Sequence, residues 1–312
     1  MPPLRAYWRG RSPSSGRLPP DFRFAGRPLY PHLVDFAKLH GTGNDFIVID
    51  ARSLDRDWEA LARKLCDRHF GVGGDGMILA APSERADVRM RIFNADGSEA
   101  EMSGNGMRCL VKFVADRGIV RAKGNEFDVE TGAGVLRVRV TTEGGRVTSV
   151  RESMGPPRLD PREIPIAIEA SPPVRNVDVQ VDGRTLAVTP VSMGNPHAVH
   201  FQADAVERFP LHTLGPLVEH HALFPRRTNF EVVRMTGEGI AEMRVWERGV
   251  GETLSCGSGA SATMVAARLL GLARDELELR VPGGVLQLAW DGEGDVILTG
   301  PVEEVFTGTW PD

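Results

Sequence analysis

The sequence predicts a strand-rich α/β (α+β) protein built from two copies of one domain. Each copy is a curled, mostly antiparallel sheet packed on a central helix. Three observations carry this. First, two stretches align without a gap at a spacing of 153 residues. Met90-Arg91-Ile92-Phe93 lies over Met243-Arg244-Val245-Trp246, Glu99 over Glu252, Gly104-Asn105-Gly106 over Gly257-Ser258-Gly259, and Gly118 over Gly271. Second, the match continues in order on both sides. Gly43-Asn44 falls over Gly194-Asn195, Asp75-Gly76 over Thr228-Asn229, and Gly134-Val135-Leu136 over Gly284-Val285-Leu286, with the small drift that loop changes produce. Third, a length of 312 residues suits two ordinary cores. Two copies at so long a period indicate homologous domains rather than a solenoid.

Residues 1–33 stand apart. Positions 9–20 are rich in Pro, Ser and Arg, with no acid before Asp21, and cannot bury enough apolar surface to order themselves, so a mobile extension is expected. Such a composition fits an organelle transit peptide; an upstream start codon or a species-specific tail is the preferred reading. Val34–His40 and Phe46–Asp50 then read as strands around a Gly-Thr-Gly-Asn turn, followed by an amphipathic helix over Trp58–Arg68. Asp87–Asn94 alternates as a half-buried strand. It feeds the polar loop Ala95–Met102 and a helix from about Gly104 to Arg117 that Gly118 stops. The second half repeats this with strand Ala241–Glu247, loop Arg248–Ser255 and a helix from about Gly257 to Leu270 before Gly271. Paired strands follow each helix, over 126–142 and 276–290. The expected domains are 34–147, joined by the C-terminal strand 300–312, and 148–299.

Composition narrows the function. Hydrophobic residues at 41% and charged residues at 25% are globular values. A net charge of −5 gives no electrostatic case for nucleic acid. No apolar stretch approaches the roughly 18 residues of a membrane span. The three cysteines, Cys66, Cys109 and Cys256, are too few for a disulfide framework, and a reducing cytoplasm is the expected compartment. No zinc-ligand spacing, phosphate loop or dinucleotide fingerprint is seen, so no metal and no cofactor are expected.

The chemistry concentrates at the two glycine-rich helix starts, where backbone N–H groups lack partners and the dipole end is positive. Glycines at 104, 106, 257 and 259 let a carboxylate approach closely. Ser103 and Cys256 precede them at the one place where the repeat changes chemically. A thiol there is expected to gain acidity from the dipole, falling below its free value of about 8.5. Two such half-sites facing each other suit an enzyme that takes a proton from one face of a carbon and returns it to the other. Cys66 and Cys109, on helices, read as small buried hydrophobes.

Five segments in order, His40–Phe46, Phe93–Ser98, Ser192–His197, Trp246–Gly249 and Glu252–Gly259, give the chain a resemblance to the diaminopimelate epimerases over about residues 34 to 312. The resemblance implies cofactor-independent interconversion of LL- and meso-2,6-diaminopimelate by two cysteines, a cleft between two pseudo-symmetric domains, and a homodimer. Carried over by position, it implies that Asn44, Asn94, Asn195 and Asn229 line the cleft and, with Arg248, hold the distal amino-acid headgroup. It implies that Gly104, Asn105, Gly257 and Ser258 grip the reacting carboxylate. Glu247 would meet the reacting ammonium, and His197 with Glu247 would adjust the thiol.

The departure is Ser103, where the family pattern calls for the first catalytic cysteine. Glu99 and Glu101 are near in sequence, but neither obviously supplies a base for it. The serine is natural and the enzyme turns over through it or a bound water, or it is an engineered substitution, or the chain binds its ligand without turnover; all three stay open at this level. Gly76 departs as well, where the family often carries a ligand-contacting glutamine. The alternatives are a racemase or isomerase of another amino acid, such as histidine, or an amino-acid-binding pseudoenzyme. Arg248 with four asparagines favours diaminopimelate, because an imidazole would leave those polar groups unpaired at roughly 1–3 kcal/mol each.

Overall fold

The computed structural model describes residues 33–121 and 123–311. The expected N-terminal extension therefore lies outside the described residues except for Leu33, which opens the first strand. The first half runs β1 (Leu33–Gly41), β2 (Asn44–Asp50), α1 (Trp58–Cys66), β3 (Gly76–Ala81), β4 (Val88–Asn94), β5 (Glu99–Ala100), α2 (Gly104–Asp116), β6 (Glu126–Thr131), β7 (Gly134–Glu143) and β8 (Arg146–Ser153). Next come β9 (Val177–Val181), β10 (Arg184–Ser192), β11 (Pro196–Phe201), α3 (Leu211–Glu219), β12 (Asn229–Gly237), β13 (Ile240–Glu247) and β14 (Gly251–Thr253). The chain ends in α4 (Gly257–Leu269), β15 (Glu276–Val281), β16 (Gly284–Ala289), β17 (Ile297–Pro301) and β18 (Glu303–Pro311).

The expected helix over Trp58–Arg68 stops two residues early, because Asp67 leaves the helical region at ψ 122° and its carboxylate caps the N–H groups of His69 and Phe70. Both polar loops, 95–102 and 248–255, contain a short strand, β5 and β14, that folds back on β4 and β13. Arg91 and Glu99 lock the first of these at 2.8 Å, and Arg244 and Glu252 lock the second at 2.7 Å. The repeated acids are thus cross-strand ion-pair partners.

The strand pairings run in the same order in each half. β1–β2, β3–β4, β6–β7 and β7–β8 are antiparallel, with parallel contacts β2–β3 and β4–β6. β10–β11, β12–β13, β15–β16 and β16–β17 are likewise antiparallel, with parallel contacts β11–β12 and β13–β15. The halves meet where β8 pairs antiparallel with β17, bringing Glu152 opposite Leu298. β18 returns to pair with β1, as β9 pairs with β10.

Each sheet wraps a helix that is buried nearly all round. α2 is buried from Asn105 to Val114 among β1, β4, β6 and β7 residues. α4 is buried from Gly259 to Ala267, where Ala, Ser, Thr and Gly let the second sheet close tightly. The shorter α1 and α3 belong to separate cores, with Trp58 and Leu61 on α1 and Leu211 and Leu214 on α3. α2 and α4 end alike. Gly118 and Gly271 take φ +62° and +70°, Gly118 N–H donates to Ala115 and Ile119 N–H to Val114, and the pattern recurs at Gly271 and Leu272. That double bond with a left-handed glycine is the Schellman stop.

Candidate active site

The starts of α2 and α4 open on one cavity of about 850 Å³. Ser103 is the N-cap of α2, extended at φ −148° and ψ 124°, and its Oγ accepts from Gly106 N–H at 3.1 Å. Cys256 is the N-cap of α4 at φ −127° and ψ 112°, and its Sγ accepts from Gly259 N–H at 3.4 Å. An N-cap side chain satisfies one orphan donor and leaves the others of the first turn for a ligand. Ser103, Gly104, Asn105, Cys256, Gly257 and Ser258 all line the cavity, joined by Asn44, Asn94, Asn195 and Glu247.

Three expected site residues lie outside that lining. Asn229 is 3% exposed, and both ends of its amide are committed to backbone. Its Nδ2 donates to Pro196 O at 2.9 Å, and its Oδ1 accepts from Arg248 N–H at 2.8 Å. Arg248 is exposed at the turn between β13 and β14, with Nη1 donating to Arg226 O at 3.2 Å. That turn is held from behind by Glu219, which accepts from Trp246 Nε1 at 2.8 Å and from Gly249 N–H at 2.9 Å. His197 is fully buried, with Nδ1 at 2.7 Å from Glu231 and Nε2 at 3.1 Å from Asn195 Oδ1. It reaches the cavity through Asn195, whose Nδ2 donates to Ser258 at 3.3 Å.

The thiol's electrostatics differ from the helix-dipole expectation. Burial pushes the Cys256 thiol up, and the carboxylates of Glu247 and Glu231 push it further. The hydrogen bonds from Ser258 and Gly259 act the other way and are outweighed. These surroundings favour the protonated thiol. Glu247 is itself raised by burial, offset in part by bonds from Thr253 and Cys256. Cys66 and Cys109 are buried, pushed up by burial to about 11 and about 12.

On the other side, no carboxylate among the described residues bonds to Ser103. Glu99 is held by Arg91 through two 2.8 Å bonds, and Glu101 is exposed. Asn44 donates to Asp75 at 2.6 Å and accepts from Asn105 at 3.1 Å, while Asn94 donates to Ser98 at 2.9 Å. Gly76 has no room for a side chain, since a Cβ there would stand 2.8 Å from Phe93 O.

Several residues of the site escaped the sequence reading. Arg68 and Asp75 line the cavity and are paired at 2.7 Å. Fully buried Glu231 lies behind Cys256, and Arg108 and Glu152 form a buried pair at 3.1 Å behind α2. Thr42 reaches across to Ser255, hydroxyl to hydroxyl, at 2.8 Å, tying the first half to the residue before Cys256. The usable signal was a charged residue inside an apolar strand, as in Phe230-Glu231-Val232.

Two opposed helix starts on one cavity, each capped by a proton-carrying side chain, place the chain in a known structural class. A Bacillus anthracis phenazine biosynthesis protein of the PhzF family superposes with a TM-score of 0.65 at 18% identity, covering 89% of this chain and 99% of that one. A hydroxyproline epimerase from Agrobacterium vitis gives a TM-score of 0.65 at 15% identity, covering 90% and 93%. These likenesses show the fold. Sequence goes further: the pattern of the family described as diaminopimelate epimerase matches residues 36–159 and 189–305. The diaminopimelate epimerase of Moorella thermoacetica is 48% identical over 281 residues, 89% of this chain and 99% of that protein. That of Heliobacterium modesticaldum is 46% identical over 284 residues, covering 89% and 100%. The chain belongs to the diaminopimelate epimerase family, cofactor-independent isomerases.

Proposed function

We propose that the cavity binds 2,6-diaminopimelate between two domains of common origin and interconverts its LL and meso forms, with Cys256 as the one thiol and Ser103 opposite. The observation that carries this is the matched pair of N-caps on α2 and α4 facing one cavity. The reacting carboxylate docks on the first-turn N–H groups of both helices, which stabilise negative charge without reorganising. Glu247 takes the reacting ammonium. That contact explains how a thiol raised by burial and by nearby carboxylates becomes a base: the ammonium neutralises the carboxylate that opposes the thiolate. His197 acts through Glu231 and Asn195, holding Ser258 in place. Asn44, Asn94 and Asn195 take the distal headgroup, with Arg248 joining from the β13–β14 turn over Asn229.

As a neutral hydroxyl Ser103 removes a proton poorly, and as a weak acid it gives one up poorly, so inversion is slow in both directions. Exchange of the α-hydrogen on the Cys256 face is faster. The domains are 34–147 with β18, and 148–299; the recurring order of strand pairings supports this division. A homodimer acting in the cytoplasm completes the reading. Three unpaired cysteines fit that compartment, and no helix among the described residues is long and apolar enough to cross a membrane. The test is α-deuterium incorporation from D₂O into LL- and meso-diaminopimelate. Incorporation into one configuration ahead of inversion is expected. Binding with no incorporation into either would make the protein a pseudoenzyme, and absence of binding would remove diaminopimelate as ligand.

A further inference from the structure

Glu152 has no place in that proton-transfer scheme, yet it sits under the start of α2 and is 2% exposed. Its Oε1 and Oε2 lie 3.2 and 3.5 Å from where a Cβ on Gly104 would stand, so the carboxyl group presses on the first residue of the helix. Oε1 accepts from Arg108 Nη1 at 3.1 Å, whereas Oε2 is buried without a partner. In the other half the buried carboxylate lies one step further on: Glu231 Oε1 is 2.7 Å from where a Cβ on Gly259 would stand and its Oε2 also lacks a partner, whereas Gly257, the counterpart of Gly104, has no carboxyl group against it. Glu152 pairs in register with Leu298 across the β8–β17 seam, and Leu298 Cδ1 lies 3.7 Å from the corresponding point on Gly257. The half-sites therefore differ twice, Ser103 against Cys256 and Glu152 against Leu298.

The charged group facing Glu152 is Arg108 of α2; Val138 of β7 and Leu298 of β17, its register partners, are uncharged. Farther along α2, Lys112 and Asp116 pair with each other at 2.9 Å and sum to zero. Arg108 divides its donors among Glu152, Thr42 and Asn105. Burial outweighs this one cation and pushes the Glu152 carboxyl up to about 7.

We propose that Glu152 is the ionisable floor of the α2 carboxylate site, taking up one proton on Oε2 when a ligand carboxylate docks on the N–H groups of Gly104 and Asn105. This rests on reading the cleft as an amino-acid carboxylate site. Two carboxylates converging on one helix start cannot both stay ionised cheaply, as paired carboxylates elsewhere show. An ionised Glu152 also cancels the positive helix end that the ligand would use. The proton comes from solvent, and the O–H bond is the only bond formed. Below about pH 7 Glu152 is already protonated and affinity is level. Above it, each pH unit makes that proton harder to obtain, and affinity falls by up to about tenfold per unit.

Titration calorimetry of the full chain with meso-2,6-diaminopimelate, in two buffers of different ionisation heat, counts the protons directly. Uptake of close to one proton is expected at about pH 8 and close to none at about pH 6, beyond the baseline of Glu152→Gln. That variant keeps an acceptor for Arg108 but cannot titrate, so its uptake should vanish and its affinity should stay flat with pH. Should it fail to fold, as circular dichroism would show, the count on the unmodified protein decides alone. No uptake at about pH 8, or equal uptake in folded Glu152→Gln, overturns the proposal. Absence of any binding heat, with no α-deuterium incorporation, overturns the diaminopimelate reading and this one with it.

Discussion

Replacing Ser103 with cysteine gives the two helix starts the same cap, and the structure fixes the sign of two separate effects. Ser103 and Cys256 share an extended backbone, φ −148° and ψ 124° against φ −127° and ψ 112°, so the new thiol fits without backbone adjustment. Its Sγ would accept from Gly106 N–H as Cys256 does from Gly259, at 3.4 Å rather than the 3.1 Å of the hydroxyl. The longer bond makes a poorer cap. An N-cap change of this kind costs about 0.5–1 kcal/mol, a fall in Tm of roughly 1–2 °C for a chain of this length. The catalytic effect runs the other way. A positioned acid–base group contributes about 10²–10⁴-fold, or about 2.7–5.4 kcal/mol off the barrier. Ser103→Cys should therefore epimerise about 10²–10⁴ times faster while melting slightly earlier. The assay follows meso product from the LL isomer and α-deuterium in the same sample, beside thermal melts of both proteins. Equal inversion rates would refute the reasoning and require another base on the α2 side.

Four further outcomes are expected. Cys256 is 6% exposed and lines the cavity, against 2% and 0% for Cys66 and Cys109, so mass spectrometry should find it alkylated first and protected by ligand. Because the Glu247 carboxylate raises the thiol, Glu247→Gln should lower the thiol's pKa and speed that labelling at about pH 8, at least threefold, while weakening ligand binding; unchanged labelling would separate the two groups. Arg248→Lys should weaken binding at least about tenfold with little change in Tm, since the side chain is exposed and makes one backbone bond, to Arg226; a large stability loss at unaltered affinity would make the arginine structural. Gly283→Ala would set a Cβ 1.8 Å from Thr42 O, and chemical denaturation should show a loss of about 1–3 kcal/mol or more; an unchanged midpoint would contradict the packing of that turn against Thr42.

The helices at the site were legible because local chemistry sets their ends. A small polar residue before Gly-x-Gly gave both starts, and Gly118 and Gly271 both stops, to within one residue. β5 and β14 were not legible, since a two- or three-residue strand has no periodicity and is fixed by its partner strand and an arginine–glutamate pair. At the site, the asparagines looked equivalent in sequence. Burial separates them: Asn229 is spent on backbone, whereas Asn44, Asn94 and Asn195 reach the cavity. The dipole at Cys256 is a local property that sequence shows, whereas the burial that pushes the thiol up, and the carboxylates of Glu247 and Glu231 that add to it, come from the fold, the latter two on β13 and β12. Glu152 and Arg108 were invisible for the same reason, since only the fold brings β8 beneath α2.

β18 pairs with β1 along almost its whole length, Pro311 opposite Leu33 and Glu303 opposite His40, and so supplies to the first half what β9 supplies to the second. During synthesis the two halves then mature in an order opposite to their order in the chain. Every strand of the second half is made before β18 emerges, so that half can close its sheet while β1, made first, still presents a bare edge. The N-terminal half waits for the last strand. A tag, a fusion or a truncation at the C-terminal end would be felt first at β1 and the Gly41–Asn44 turn, at the opposite end of the sequence. Through the hydroxyl contact of Thr42 with Ser255, it would then be felt beside Cys256.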